Sequence, residues 1–209
     1  MPKQNVIYDP VHIPDFLGER LPKPLAVGLD LATNTGLAAA FFDPAAPDPV
    51  KSVKQWMLGQ LSLGVGPHDS GPLRWVKLRQ SLIELKPSLI LIEDVRYTPQ
   101  GGMNMRTISQ IMARTYTQAQ MSGALMAITE EFAEEFGIPL FAIGIGQIKK
   151  RATGKGNANK VDMIVACNEE FGTDFATEDF EATGVDNIAD AAWTLRLGLE
   201  IYGKGIKAP

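Results

Sequence analysis

The sequence predicts an α/β fold in which helices cover both faces of a mixed five-stranded sheet. Three strand-like runs open the chain as a meander, and two further strands then alternate with helices, an order typical of a mixed sheet between helical layers. Residues 89–92 are apolar throughout and lie between Pro87 and two acids. That pattern indicates a strand buried on both faces, so we expect it in the interior of the sheet.

The other elements follow from proline positions and hydrophobic periodicity. Residues 1–24 contain five prolines, which disfavour helix and central strand, and we expect an extended N-terminal arm there. Strands are predicted at residues 25–31, 37–42, 53–61, 89–92 and 138–145. Helices are predicted at residues 73–86, 105–136 (one long helix or a broken one), about 159–171 and about 187–202. We expect one domain over residues 25–202 and a tail at 203–209.

The composition is that of a globular protein. The chain has 209 residues, of which 45% are hydrophobic and 21% are charged, and these values exclude a disordered or fibrous chain. Cys167 is the only cysteine, so no intrachain disulfide can form, and no signal-peptide pattern is visible at the start. We therefore expect a cytoplasmic protein. We expect no contact with membranes, because no apolar run approaches the roughly 20 residues that cross a bilayer.

Charge is segregated along the chain, although the net charge of -4 gives no general attraction to nucleic acid. Every charged side chain is basic between residues 96 and 129 and between residues 146 and 161, and every one is acidic between residues 169 and 190. Solvated faces or loops would explain any one block alone. Together the blocks favour a polyanion-binding surface beside a carboxylate site.

Four acids lie at the ends of predicted strands or at the start of the last helix: Asp30, Glu93, Asp186 and Asp190. A carboxylate that ends an apolar strand is costly to bury unless it is hydrogen-bonded or binds a metal. Adjacent parallel strands would bring Asp30 and Glu93 together, and their repulsion would require a cation. Two Mg²⁺ ions about 4 Å apart can clamp a phosphodiester for attack by water, so this pattern favours nuclease chemistry.

Each acid alone also has a structural explanation. Asp30 could cap the turn after its strand, Glu93 could pair with a lysine, and Asp186 could cap the last helix. The spacing of Asp186 and Asp190 favours a shared site instead, because residues four apart lie on one helical face. The small neighbours of Asp190 would also let that face approach the sheet closely.

Four segments carry a resemblance to a known family. They are Gly28-Leu29-Asp30-Leu31 with the later Gly36, residues 91–95, residues 148–160 and residues 186–191. In this order and at similar separations, over about residues 25–199, they resemble the RuvC family of Holliday junction resolvases, which have the RNase H-like fold. The resemblance implies a structure-selective endodeoxyribonuclease for branched DNA, above all the four-way junction. It also implies two Mg²⁺ ions per active site, with Mn²⁺ able to substitute.

The resemblance assigns roles to particular residues. Asp30, Glu93 and Asp190 match the metal-binding acids of the family. A set of polar and basic residues matches its DNA-contacting loop and helix: Lys149, Lys150, Arg151, Lys155, Asn157 and Lys160. Of these, Lys155, Asn157 and Lys160 would lie near the scissile phosphate. Symmetric cutting of a junction needs two related active sites, so we expect a homodimer, and the helix around residues 105–128 is a candidate interface.

Two positions depart from the family pattern. The family places an acid or a histidine three residues before the final Asp, and this chain has Asn187 there, preceded by Asp186. Asp186 could complete the metal site, which is the reading we favour, or Asn187 could ligate through its carbonyl oxygen while Asp186 caps the helix. The family also often has an aromatic shortly after the sheet Glu. Arg96 and Tyr97 occupy that region here, and we expect both to contact DNA.

Two other functions fit parts of the sequence. Residues 30–36 also resemble the phosphate loop of the actin and sugar-kinase superfamily, which suggests a nucleotide-binding, ATPase-like module, although that superfamily needs two such lobes. Asn187 would suit a catalytically weak protein that binds branched DNA without a working metal site. A cleavage assay separates this second alternative from a nuclease.

Overall fold

Helices and strands alternate through most of the chain. The computed structural model describes residues 5–9, 24–32, 34–63, 71–94 and 105–205. The strands are β1 (Asn5–Asp9), β2 (Leu25–Asp30), β3 (Asn34–Phe41), β4 (Gln55–Ser62), β5 (Leu89–Asp94) and β6 (Leu140–Gly144). The helices are α1 (Pro49–Ser52), α2 (Gly71–Leu85), α3 (Met105–Phe136), α4 (Ile145–Thr153), α5 (Lys160–Phe171), α6 (Phe180–Thr183) and α7 (Val185–Gly203).

The predicted mixed sheet is confirmed. Its order is β1-β4-β3-β2-β5-β6. β3 is antiparallel to both β2 and β4, and β5 is parallel to both β2 and β6. All five predicted strands form, and residues 89–92 of β5 are completely buried between β2 and β6. β1 adds a sixth strand parallel to β4. It lies inside the predicted arm, in a stretch between Pro2 and Pro10 that contains no proline and can therefore donate backbone hydrogen bonds.

Helix α4 is the main element that the sequence pattern did not predict. It begins at Ile145, directly after β6, and Gly154 ends it in the left-handed conformation with φ of 78°. The helix is only nine residues long, and among its residues Ile148 is the one that is buried, so few buried apolar residues mark it in the sequence. Helix α5 follows after a short loop. Its start is fixed by a capping box, in which Asn159 and Asp162 exchange side-chain to backbone hydrogen bonds of 2.9 and 3.1 Å.

Helices cover both faces of the sheet, as predicted. On one face α4, α5 and α7 pack against the alternate residues of β2 and β5 that include Ala26, Leu89 and Leu91. On the other face α2 and α3 pack against Val27 and Ile90. None of the described helices is both long enough and apolar enough to span a membrane.

Helix α7 lies directly on the backbone of β2 and β3, because two glycines leave room for it. A Cβ atom on Gly36 would stand 1.9 Å from the carbonyl oxygen of Asn187, and one on Gly28 would stand 2.7 Å from that of Ala191. No larger residue fits at either position without displacing helix backbone. This contact fixes the height and register of α7 over the strand ends, and therefore the position of Asp190.

Candidate active site

Two neighbouring strand ends and one helix bring three acids together. The register pairs Leu29 of β2 with Ile92 of β5, so Asp30 and Glu93 occupy the next position on adjacent parallel strands. Since side chains alternate along a strand, Asp30 shares the face of Gly28, which is the face covered by α7. Asp190 lies on α7 above that point. One carboxylate oxygen from each of Asp30, Glu93 and Asp190 lies within 4.8 Å of the other two.

The three carboxylates repel one another in a poorly solvated site. Burial, followed by the charge of Asp190, raises the pKa of Glu93 to about 7. Burial also raises the pKa of Asp190 to about 6, with a further contribution from Asp186. The pKa of Asp30 is raised well above its usual value by burial and by the neighbouring acids, Glu93 first. A divalent cation would relieve this repulsion, and three carboxylates are the hard oxygen donors that Mg²⁺ and Mn²⁺ prefer. The residues present therefore fit such an ion.

Asp186 and Asn187, the two candidates for a fourth ligand, each contact something else in this structure. Asp186 is 3% exposed, lies outside the three-acid cluster and accepts a hydrogen bond from the ammonium of Lys160. The amide nitrogen of Asn187 donates to the backbone oxygen of Asn34, with a distance of 2.7 Å. Asn187 thus links α7 to the start of β3. Ligation by either residue remains a prediction.

Two lysines of the basic block face the acids. Lys149 on α4 is half-buried, and its charge lowers the pKa of both Glu93 and Asp190. The charge of Lys160, the first residue of α5, lowers the pKa of both Asp30 and Asp190. The positive charges of Lys149 and Lys160 therefore act directly on the three clustered carboxylates.

The other predicted DNA contacts are placed differently. Lys150, Lys155 and Asn157 are exposed on α4 and on the loop that follows it. Arg151 is instead paired with Glu200 of α7 through three hydrogen bonds of 2.7, 2.9 and 3.2 Å. This ion pair ties α4 to α7, and the sequence offers no local signal for it because the partners are 49 residues apart. Arg96 and Tyr97 lie outside the described residues.

The comparisons with known proteins agree with this architecture. No protein-family model matches the sequence, and no curated protein matches it. The RuvC structure from Thermus thermophilus is similar, with 17% identity and a TM-score of 0.58 over 88% of this chain and 99% of that one. T. thermophilus RuvC in complex with a Holliday junction substrate has 18% identity and a TM-score of 0.60 over 89% and 99% of the two chains.

A eukaryotic resolvase is also similar. The yeast mitochondrial Holliday junction resolvase Ydc2 has 18% identity and a TM-score of 0.51, over 90% of this chain and 84% of that one. The similarity to each of the three structures covers 88% to 90% of this chain. The chain therefore has the RNase H-like fold of the RuvC-type resolvases.

Proposed function

We propose that the protein is a metal-dependent endodeoxyribonuclease that cuts branched DNA, with the four-way junction as its main substrate. The observation that carries the proposal is the convergence of Asp30, Glu93 and Asp190, with raised pKa values, beside Lys149 and Lys160. The fold supports the choice of substrate, because one similar structure was solved with a Holliday junction.

The chain supplies both the anionic and the cationic parts of such a site. Asp30, Glu93 and Asp190 would hold the metal, which when bound as a pair of Mg²⁺ or Mn²⁺ ions supplies an activated water and neutralises charge on the phosphate. Lys149 and Lys160 place positive charge beside the acids, where it would attract and orient a phosphate of the DNA backbone. The contact between α7 and the glycines of the sheet keeps these groups in fixed positions.

The test is cleavage of a substrate panel by the purified protein. Four-way, flap, splayed-arm and linear duplex DNA are incubated with Mg²⁺, with Mn²⁺ or with EDTA. We expect cuts in the four-way junction that require the metal and are rarer in linear duplex. Tight junction binding without any cut would favour the catalytically weak DNA-binding protein instead. The ATPase-like alternative loses support, because Gly36 of its supposed phosphate loop is covered by the backbone of Asn187.

We expect the exposed part of the basic block to contact DNA phosphates. Lys150→Ala and Lys155→Ala should each weaken binding of all branched substrates similarly and reduce the salt slope of binding by about 1. Lys54→Ala is the matched control, because Lys54 is exposed but precedes β4 at the opposite end of the sheet. Binding titrations at several salt concentrations measure the slope. If the two variants keep the wild-type slope, the block is only a solvated face.

We further propose that the enzyme is a homodimer that uses the outer surface of α2 and α3. Leu73, Trp75 and Val76 of α2 are 40%, 37% and 62% exposed, an apolar group that a partner could cover. A Trp75→Glu, Val76→Glu variant should have half the native mass in light scattering and should lose paired cuts across a junction. Phe136→Glu, at the far end of α3, is the control and should stay dimeric. A monomeric wild type, or a dimeric double variant, would rule out this interface.

A further inference from the structure

The side chain of Lys160 is held by contacts on several sides. Its backbone begins α5 and is fixed by the capping box of Asn159 and Asp162. Its ammonium lies 5.7 Å from the ring centroid of Phe180 and donates a hydrogen bond to Asp186. The Lys160 side chain nevertheless remains 50% exposed. The backbone and the ammonium of Lys160 are thus both held in place, while the side chain still faces solvent. The ammonium can therefore contact an anion that arrives from solvent.

Asp186 is a rigid anchor for this ammonium. Its side chain is 4% exposed and lies in the first turn of α7. That turn is itself fixed, because the Asn187 carbonyl rests on Gly36 and the Asn187 amide donates to Asn34. A buried carboxylate without a partner destabilises the folded protein, so the pairing of Asp186 with Lys160 is favoured over release of the lysine into solvent.

We infer that Asp186 is a positioning residue: it holds the ammonium of Lys160 at the edge of the three-acid cluster, where it contacts a DNA backbone phosphate beside the cut. This inference rests on the proposed nuclease function for the identity of the anion. It gives Asp186 a role other than metal ligation. Its carboxylate lies outside the cluster formed by Asp30, Glu93 and Asp190, and a metal there would compete with Lys160 for it.

The first test needs no DNA. Acylation of lysines by an N-hydroxysuccinimide ester is followed by mass spectrometry, with exposed Lys155 as the internal reference. Asp186→Asn should raise the rate of Lys160 relative to Lys155 severalfold, because the ammonium loses its charged partner. Asp190→Asn removes the same charge one turn later and should raise the rate less. An unchanged Lys160 rate in Asp186→Asn would overturn the inference.

The second test separates positioning from ligation. Binding of Mn²⁺ to the DNA-free protein is measured by electron paramagnetic resonance. Asp186→Asn should leave the Mn²⁺ affinity within about 2-fold of wild type, whereas Asp190→Asn should weaken it by about 10-fold or more. A loss of Mn²⁺ affinity in Asp186→Asn that equals the loss in Asp190→Asn would make Asp186 a ligand and would overturn the inference.

The third test asks whether Asp186 acts through Lys160. In a double-mutant cycle, adding Asp186→Asn to Lys160→Met should lower kcat no further than Lys160→Met alone does. In the otherwise wild-type protein, Asp186→Glu should restore part of the kcat that Asp186→Asn loses. Additive losses would contradict the inference. If Asp186→Asn does not fold, the labelling test is carried out on Asp186→Glu instead. If the wild type cleaves no DNA, the proposed function fails, whereas the labelling and Mn²⁺ measurements still decide between anchor and ligand.

Discussion

Asp30→Asn and Glu93→Gln are each expected to abolish metal-dependent cleavage while the protein stays folded and binds junctions at least as tightly as wild type. Loss of a group that only hydrogen-bonds a metal ligand lowers metal affinity or activity roughly 10- to 100-fold, so loss of a ligand itself should lower the cleavage rate by more than about 100-fold. Each change also removes one charge from a cluster in which three carboxylate oxygens lie within 4.8 Å of one another. Less repulsion toward the DNA backbone would favour binding.

The measurement compares single-turnover cleavage and junction affinity for the two variants and wild type at the same Mg²⁺ concentration. Asp94→Asn is the matched control, because Asp94 follows Glu93 on β5 and its side chain faces the other side of the sheet. We expect Asp94→Asn to keep cleaving. Wild-type rates in both Asp30→Asn and Glu93→Gln would remove the acid cluster from the mechanism.

The metal-free protein is expected to lose stability as the pH rises from about 5 to 8. Burial and the charge of Asp190 raise the pKa of Glu93 from 4.5 to about 7, so between these values the folded chain binds more protons than the unfolded chain. Stability therefore falls as the pH rises through this window, and the loss is complete above the folded pKa. For the pKa shift of Glu93, the free energy of unfolding falls by about 3 kcal/mol across this window. Asp190, with its pKa raised to about 6, adds in the same direction.

Two comparisons test the origin of this pH dependence by thermal unfolding. Glu93→Gln should be more stable than wild type at pH 8 in EDTA and should show a flatter pH profile. Mg²⁺ should stabilise the wild type more at pH 8 than at pH 5, since protonated carboxylates bind metal poorly. A wild type in EDTA that is most stable at pH 8 would show that the acids do not repel one another as described.

Much of the fold could be predicted because hydrophobic periodicity and proline positions were strong. β5 is apolar throughout residues 89–92 and proved to be buried between two strands. The elements that were missed are short. α4 has nine residues, of which Ile148 is buried, and the five residues of β1 lie in a segment whose prolines favoured an extended arm.

The approach of Asp30, Glu93 and Asp190 could be predicted because it depends on topology. Adjacent parallel strands align their ends, and small residues around Asp190 let α7 come close. The partners of Asp186 and Arg151 could not be predicted in the same way. Asp186 pairs with Lys160, 26 residues away, and Arg151 pairs with Glu200, 49 residues away. Such pairs depend on the packing angles between helices, which spacing along the chain does not determine.

The packing of α7 on Gly28 and Gly36 also determines at what point of protein synthesis the acid site can form. Asp30 and Glu93 leave the ribosome early, but Asp190 lies on α7, about 150 residues after the glycine on which that helix rests. Contacts between such distant parts of a chain form late, and synthesis delivers the amino-terminal strands first. A nascent chain therefore has two of the acids in place without the third. We expect it to acquire metal-binding and cutting capacity only when α7 has emerged and docked on the sheet.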